Sequence, residues 1–292
     1  MNGNREGIVI VGPGRMGLAL GYALSGSSAV SRITVCGRAM EPPHHPLFTE
    51  GAVEYSPGLR IPFEDTEAVF LAVPDHVVPE LAHTLAGLGD APPGCVAFHL
   101  SGALSTEVLA PLHHRGYAVG SFHPLQAVSL SVGSARRLRG AWFGITGGPE
   151  AMSVARRLVT ALEGAVLSVP ESRKAVYHAA AVMASNFLPP LLDAACRMLE
   201  RAGVSHEDAL PALLPLVEGA LANVRELGVQ GAVTGPVARG DLETVGLHLR
   251  AMEPDERFLY TVLACELIQI LGEALSDDAR AALMDVFQHE LE

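Results

Sequence analysis

The stretch GIVIVGPGRMGLALGYAL, residues 7–24, constrains the chain more than any other. A short apolar run, Ile8 to Val11, precedes Gly12, Gly14 and Gly17, and an Ala/Leu-rich segment with the character of a helix follows. GxGxxG placed between a strand and a helix is the pattern of a dinucleotide-binding βαβ unit. In that setting Gly12 makes the tight turn and Gly14 lets the backbone approach a pyrophosphate. Gly17 lets the helix pack close to the strand, with its first N–H groups facing the phosphates. Pro13, Arg15 and Met16 complete the loop as candidate cofactor contacts. The alternative is a structural strand-turn-helix without a ligand.

A site for NAD should end its second strand on an acid about twenty residues later. SRITVCGRAM instead offers Gly37 and Arg38 and no acid. A guanidinium there suits a 2′-phosphate through paired charge-assisted hydrogen bonds, which favours NADP. Arg38 as a solvated loop charge is the competing reading.

Strand-like runs continue at 68–74, 95–102, 117–122, 141–147 and 165–169, with helical patterns between most of them. The alternation predicts an α/β fold, a doubly wound parallel Rossmann sheet, followed by an all-α C-terminal domain. Ligands of such sheets lie beyond the C-terminal ends of the strands. GPGRMG, VPDH, LSG and FHP stand at those ends, so Val73, Pro74, Ser101 and Gly102 join the candidate cofactor contacts and His123 faces the same crevice. Residues 40–65 are irregular and rich in proline; they read as a surface loop near the adenine end. The adjacent His44 and His45 point apart, and no metal site is expected.

After Pro170 the strand signals stop, which predicts a boundary between a dinucleotide-binding domain at 1–170 and a helical domain at 171–292. Helical patterns cover about 171–201, 206–227, 241–251, 254–275 and 277–290. On the first of them Lys174, His178 and Ser185 fall within about 40° of one another at about 100° per residue, with Asn186 a quarter turn away. Pro189 and Pro190 are expected to kink that helix. A polar stripe on an apolar helix needs partners, so it faces either a ligand or another helix.

The 292 residues allow two domains. A formal charge of −12 argues against nucleic acid, which needs a basic face. Four scattered cysteines without a CxxC pair suit buried thiols in a reducing cytosol better than disulfides or zinc. The N-terminus shows no signal peptide, and a cytoplasmic location is expected. The most membrane-like stretch, 175–199, carries His178, Asn186, Asp193 and a Pro-Pro pair, and reads as a buried core helix.

The arrangement resembles the 6-phosphogluconate dehydrogenase-like superfamily. GPGRMG, AVFLAVPD and HLSG are similar to motifs of its deazaflavin-dependent NADP oxidoreductases and pyrroline-5-carboxylate reductases. FHPLQAV, YHAAAVMASNF and TGPVARGD look like signatures of a bacterial family of oxidoreductase-like proteins with a Rossmann-like domain and a C-terminal domain of unknown function. The resemblance spans nearly the whole chain and implies NADP and a homodimer built by the helical domain. Two departures matter. The hydroxyacid-dehydrogenase branch places a catalytic Lys four residues before an Asn, whereas Lys174 precedes Asn186 by twelve. The GSFHP stretch is similar to that of prephenate dehydrogenases, but the glycine expected three residues after the His is missing.

Reducing a C=O or C=N requires a proton donor beside the acceptor heteroatom. His123 is the first candidate for that role, with the capping of a proline turn as its structural alternative. Ser101 is placed to hydrogen-bond His123 or a nicotinamide carboxamide, and Ser185, Asn186 and His178 are expected to close the site from the helical side. In GAVTGPVARGDLETV, Thr234, Arg239 and Asp241 are candidate contacts to an anionic substrate, Arg239 through its guanidinium, while Asp241 also reads as a helix N-cap. The leading function is an NADP-dependent oxidoreductase acting on a small, carboxylated carbonyl or imine compound. A non-catalytic NADP-binding sensor and a prephenate- or arogenate-dehydrogenase-like enzyme are the alternatives.

Overall fold

The computed structural model describes residues 7–51, 53–60 and 62–291. The chain divides into two compact units, Met1–Ser185 and Asn186–Glu292. The first holds strands β1 (Gly7–Val11), β2 (Arg32–Gly37), β3 (Glu54–Pro57), β4 (Thr66–Leu71), β5 (Val96–His99), β6 (Ala118–Pro124), β7 (Trp142–Gly147) and β8 (Ala165–Ser168). Its helices are α1 (Arg15–Ser25), α2 (Pro46–Thr49), α3 (Val78–Ala86), α4 (Ala110–His113), α5 (Val132–Arg136), α6 (Pro149–Ala161) and α7 (Lys174–Ser185).

The strands form one sheet in the order β3-β2-β1-β4-β5-β6-β7-β8. Side chains alternate faces along a strand, and here both faces are apolar. Ile8, Ile10, Ala68, Phe70, Val96 and Phe98 join one core with residues of α1 and α6. Val9, Val11, Val69, Leu71 and Ala97 join a second core with residues of α3 and α4. Burial on both sides explains why these strands read as continuous apolar runs.

Three expectations are corrected. The sheet is mostly parallel, but β7 runs antiparallel to β6 and carries β8 with it. The connection does not lay a crossover helix that returns the chain to the start of β6. Its short α5 packs against α1, and Leu125 N–H bonds the Trp142 carbonyl at 2.8 Å, closing the two strands like a hairpin. The proline-rich segment is not all loop: it contributes α2 and the edge strand β3. His45 is buried and caps α2, its Nδ1 accepting from Leu47 N–H at 3.2 Å. Finally, the first unit extends to Ser185 rather than to 170, because α7 is fastened to the sheet by the buried Lys174.

The second unit comprises α8 (Leu188–Arg201), α9 (His206–Gly231), α10 (Leu242–Ala251), α11 (Pro254–Leu271) and α12 (Asp277–Leu291). Its core gathers Val245, Leu249, Ala264, Ile268, Leu271, Leu283 and Phe287 from α10, α11 and α12. Arg201 at the end of α8 pairs with Glu256, whose carboxylate also closes the capping box of α11. The prolines Pro189 and Pro190 stand in the first turn of α8, where a missing N–H costs nothing. The expected buried helix over 175–199 is therefore two shorter helices, and neither is buried along its apolar face. Val176, Met183, Phe187, Leu188 and Leu191 are exposed, as are Leu210, Leu214, Leu216, Leu221 and Leu227 on α9. By length and composition alone the stretch Glu171–Arg201, which includes both helices, is apolar enough to cross a membrane, and little of it is buried.

Candidate functional site: a dinucleotide cradle beside a half-buried His–Tyr pair

The turn after β1 is fitted to backbone rather than to side chains. Gly12 adopts φ +113°, and a β-carbon on it would overlap the Ala72 carbonyl oxygen and stand 3.0 Å from Val73 Cγ1. Its N–H bonds the Cys36 carbonyl at 2.9 Å, so the turn is locked against the end of β2. A β-carbon on Gly17 would overlap the Gly12 carbonyl oxygen. Gly14 differs: it caps α1, and a β-carbon there would meet nothing within 4 Å. Two glycines are thus required by the fold, and the third faces open space at the positive end of an 11-residue helix. The residues fit a dinucleotide pyrophosphate at Gly14 and the first N–H groups of α1.

Pro13 packs within 3.0 Å of where a Gly37 side chain would begin, which brings the end of β2 beside this loop. Arg38 follows directly and is exposed, as is Arg15. Val73 and Pro74 follow β4 at the same edge of the sheet, and Met16 packs against the first core.

Beyond β5 and β6 lies a cluster that belongs wholly to the first unit. Ser101 Oγ donates to Asp75 Oδ2 at 2.6 Å and accepts from the N–H groups of Ala103 and Leu104. The expectation that Ser101 bonds His123 is thereby corrected: its one proton is committed to Asp75. Lys174 is 3 % exposed and donates to Ser121 Oγ at 2.7 Å, with the Ser101 carbonyl 3.4 Å away. Burial lowers its pKa, against the opposing pull of Glu171 and Asp75.

His123 Nδ1 lies 2.8 Å from the Tyr177 hydroxyl, with the rings edge to face. Burial, assisted by His178 and Lys174 and opposed by Asp75, lowers the His123 pKa to about 4. Its imidazole is therefore neutral at pH 7. Tyr177 is pushed up to about 12 by burial, while a backbone hydrogen bond from Gly144 pulls the other way. The antiparallel register sets Gly144 directly opposite His123, and a β-carbon on Gly144 would overlap the Tyr177 hydroxyl. His178 sits edge to face with His123 at 5.7 Å between centroids. Both rings converge on Gly102, where a β-carbon would lie 2.6 Å from His178 Cδ2 and 3.0 Å from His123 Nε2. His99 is fully buried behind them, accepting from Ser101 N–H at 3.2 Å. Burial and then Lys174 lower its pKa to about 4, against Asp75, Glu171 and a Ser105 backbone bond.

The stripe on α7 is only partly gathered here. Lys174 and His178 reach the sheet, whereas Ser185 bonds the Ala181 carbonyl at 2.7 Å and lies seven residues, about 10 Å, further along the helix. Asn186 opens the second unit. Tyr177 was missed by reading only the stripe; its signal was an aromatic hydroxyl beside His178 within one turn of Lys174.

In the second unit the TGPVARGD segment is a closed loop. Arg239 N–H bonds the Gly235 and Pro236 carbonyls, and Asp241 N–H bonds the Pro236 carbonyl at 2.9 Å. Asp241 caps α10 through both oxygens, accepting from Thr244 N–H at 3.0 Å and its hydroxyl at 2.7 Å. The cap holds its carboxyl below the usual range, and its part in substrate binding is corrected accordingly. Val237 is buried in the core, while Arg239 is exposed. Thr234 lines a cleft of about 230 Å³ with Pro236, His248, Tyr260 and Leu267.

Residues 1–124 match a family described as a Rossmann-like domain, and residues 141–267 match a domain of unknown function, DUF2520. No curated protein matches the chain. Among solved structures it is similar to protein TM1727 from Thermotoga maritima, at 25 % identity and a TM-score of 0.70 over 91 % of this chain and 98 % of that one. A protein of Bacteroides fragilis, provisionally described as an NADP oxidoreductase, gives 22 % identity and a TM-score of 0.70 over 91 % and 99 %. The Plasmodium falciparum pyrroline carboxylate reductase, solved with NADP bound, gives 13 % identity and a TM-score of 0.60 over 97 % of both chains.

Proposed function

We propose that this chain, which joins a Rossmann-like domain to a DUF2520 domain, is an NADP-dependent oxidoreductase acting on a small carbonyl or imine compound. The observation that carries this reading is the pairing of two features in one unit: the Gly12–Gly17 cradle and the neutral His123 at the C-terminal ends of the strands. Gly14 and the N-terminus of α1 would hold the pyrophosphate, and Arg38 would meet the 2′-phosphate. NADPH would supply the hydride when bound. The protein's own part is to exclude water and to place a proton at the acceptor atom, and His123 is the group suited to it. The names of the two described relatives agree with the cofactor.

The test is turnover. Wild type should oxidise NADPH in the presence of a 2-oxo acid or aldehyde. His123→Asn should lose roughly 100-fold in kcat, the scale of general acid catalysis, while keeping its affinity for NADPH. Equal rates in both proteins would remove His123 from the chemistry.

The helical faces support a homodimer. Met183 and Leu216 are each 69 % exposed and Leu227 is 58 % exposed, more apolar surface than an isolated chain usually leaves in water. Sedimentation at micromolar concentration should report two chains; a single chain would leave these faces unexplained.

A further inference from the structure

A neutral His123 carries one ring proton, on Nδ1 or on Nε2, and its position decides which acceptor the ring can serve. We propose that Tyr177 is a positioning residue that fixes His123 as an Nε2–H donor, and that the pair equips the site for a carbonyl oxygen rather than an iminium. This rests on the oxidoreductase reading given above.

The geometry assigns the hydrogen bonds in order. A phenol is a stronger donor than a neutral imidazole N–H, so the Tyr177 hydroxyl, packed against Gly144, directs its proton to His123 Nδ1, 2.8 Å away. Nδ1 then carries no proton, and a neutral imidazole must hold its single proton on Nε2. Nε2 is the nitrogen that faces Gly102, at the crevice edge of β5. Two positions are kept free of side chains for this arrangement: Gly144 beneath the phenol and Gly102 in front of the imidazole.

The proton balance follows. Reducing C=O with NADPH adds a hydride to carbon and requires one proton on oxygen. The Nε2–H bond breaks as the substrate O–H bond forms; the Tyr177 O–H bond breaks as Nδ1–H forms. The phenolate left on Tyr177 takes its proton back from water. An alkoxide is more basic than a phenolate, so the relay runs downhill toward an alkoxide. An iminium brings its own proton and gains nothing from such a donor.

The experiment begins with the protein alone. Nitrogen-edited NMR of the imidazoles should show His123 with its proton on Nε2 in wild type, and a mixed or reversed tautomer in Tyr177→Phe. A wild-type Nδ1–H tautomer, or the same tautomer in both proteins, would overturn the positioning role. With NADPH, Tyr177→Phe should lower kcat for a 2-oxo acid roughly 10- to 100-fold while KM stays within about twofold. Wild type should turn over the oxo acid faster than a cyclic imine of similar size; the opposite order would overturn the carbonyl assignment. Failure to bind NADPH at all would sink the oxidoreductase reading, and the NMR result would still decide the tautomer.

Discussion

Gly12→Ala is expected to lower the stability of the chain by about 2–6 kcal/mol, whereas Gly14→Ala should leave it within about 0.5 kcal/mol and instead weaken NADPH binding at least tenfold. The first figure joins two costs. At φ +113° an L side chain is strained by roughly 1–3 kcal/mol, and the added carbon would collide with the Ala72 carbonyl, costing roughly another 1–3. The colliding atom is backbone in the strand-to-crevice turn, so it has little room to retreat. Gly14 has an ordinary φ of −81° and open space around it, so alanine costs the folded chain almost nothing. The same methyl would stand where a pyrophosphate must approach the backbone. Urea unfolding of both variants, with calorimetric titration of NADPH, separates the two effects. Equal losses of stability would show that Gly14 is also a packing glycine, and unchanged NADPH binding in Gly14→Ala would remove the loop from the cofactor site.

Acid should destabilise the protein in a window set by histidines. His99 and His123 both have folded pKa values near 4, against about 6.5 in the unfolded chain. Their neutrality stabilises the fold fully above about pH 6.5. As pH falls from there the unfolded chain takes up the protons first, and stability drops until about pH 4. Each depression of about 2.5 pH units corresponds to about 3 kcal/mol at most. The lowered carboxyls of Glu256 and Asp241 begin to lose their contribution only below about pH 4.5, so the two ranges meet near pH 4. His99→Asn keeps an acceptor for the Ser101 N–H and removes one titrating group. It should flatten roughly half of the slope between pH 6.5 and 4 in denaturant unfolding. A slope unchanged by that substitution would mean His99 is already protonated or solvated in the folded state.

Much of the first unit was legible because its strands are buried on both faces and its turns carry glycine. Runs such as AVFLAVP and CVAFHLSG leave no other place for so many apolar residues. The direction of β7 was not legible. It depends on where the connection after Leu125 packs, and an apolar strand reads alike in either direction. β3 was hidden because EYSP is four residues long, sits at the edge of the sheet and has no apolar alternation. In the second unit the helices stood close to their expected positions, and the one over 206–227 is interrupted at Gly228, where φ is +74°. The exposure of the apolar faces of α7 and α8 was not legible, since such a face reads the same in sequence whether it is buried or exposed. At the site, His123 and Gly102 follow from strand ends. Tyr177 required the tertiary pairing of α7 with Gly144, which only the antiparallel strand provides.

One titration tests the cofactor site most directly: NADPH and NADH, each against wild type and Arg38→Ala, followed by calorimetry and by the fluorescence of Trp142, the single tryptophan. NADPH should bind saturably and at least tenfold more tightly than NADH, with the preference lost in Arg38→Ala because only the 2′-phosphate contact disappears. Binding of neither nucleotide to wild type would contradict the cofactor assignment and leave the Gly12–Gly17 turn as a structural corner.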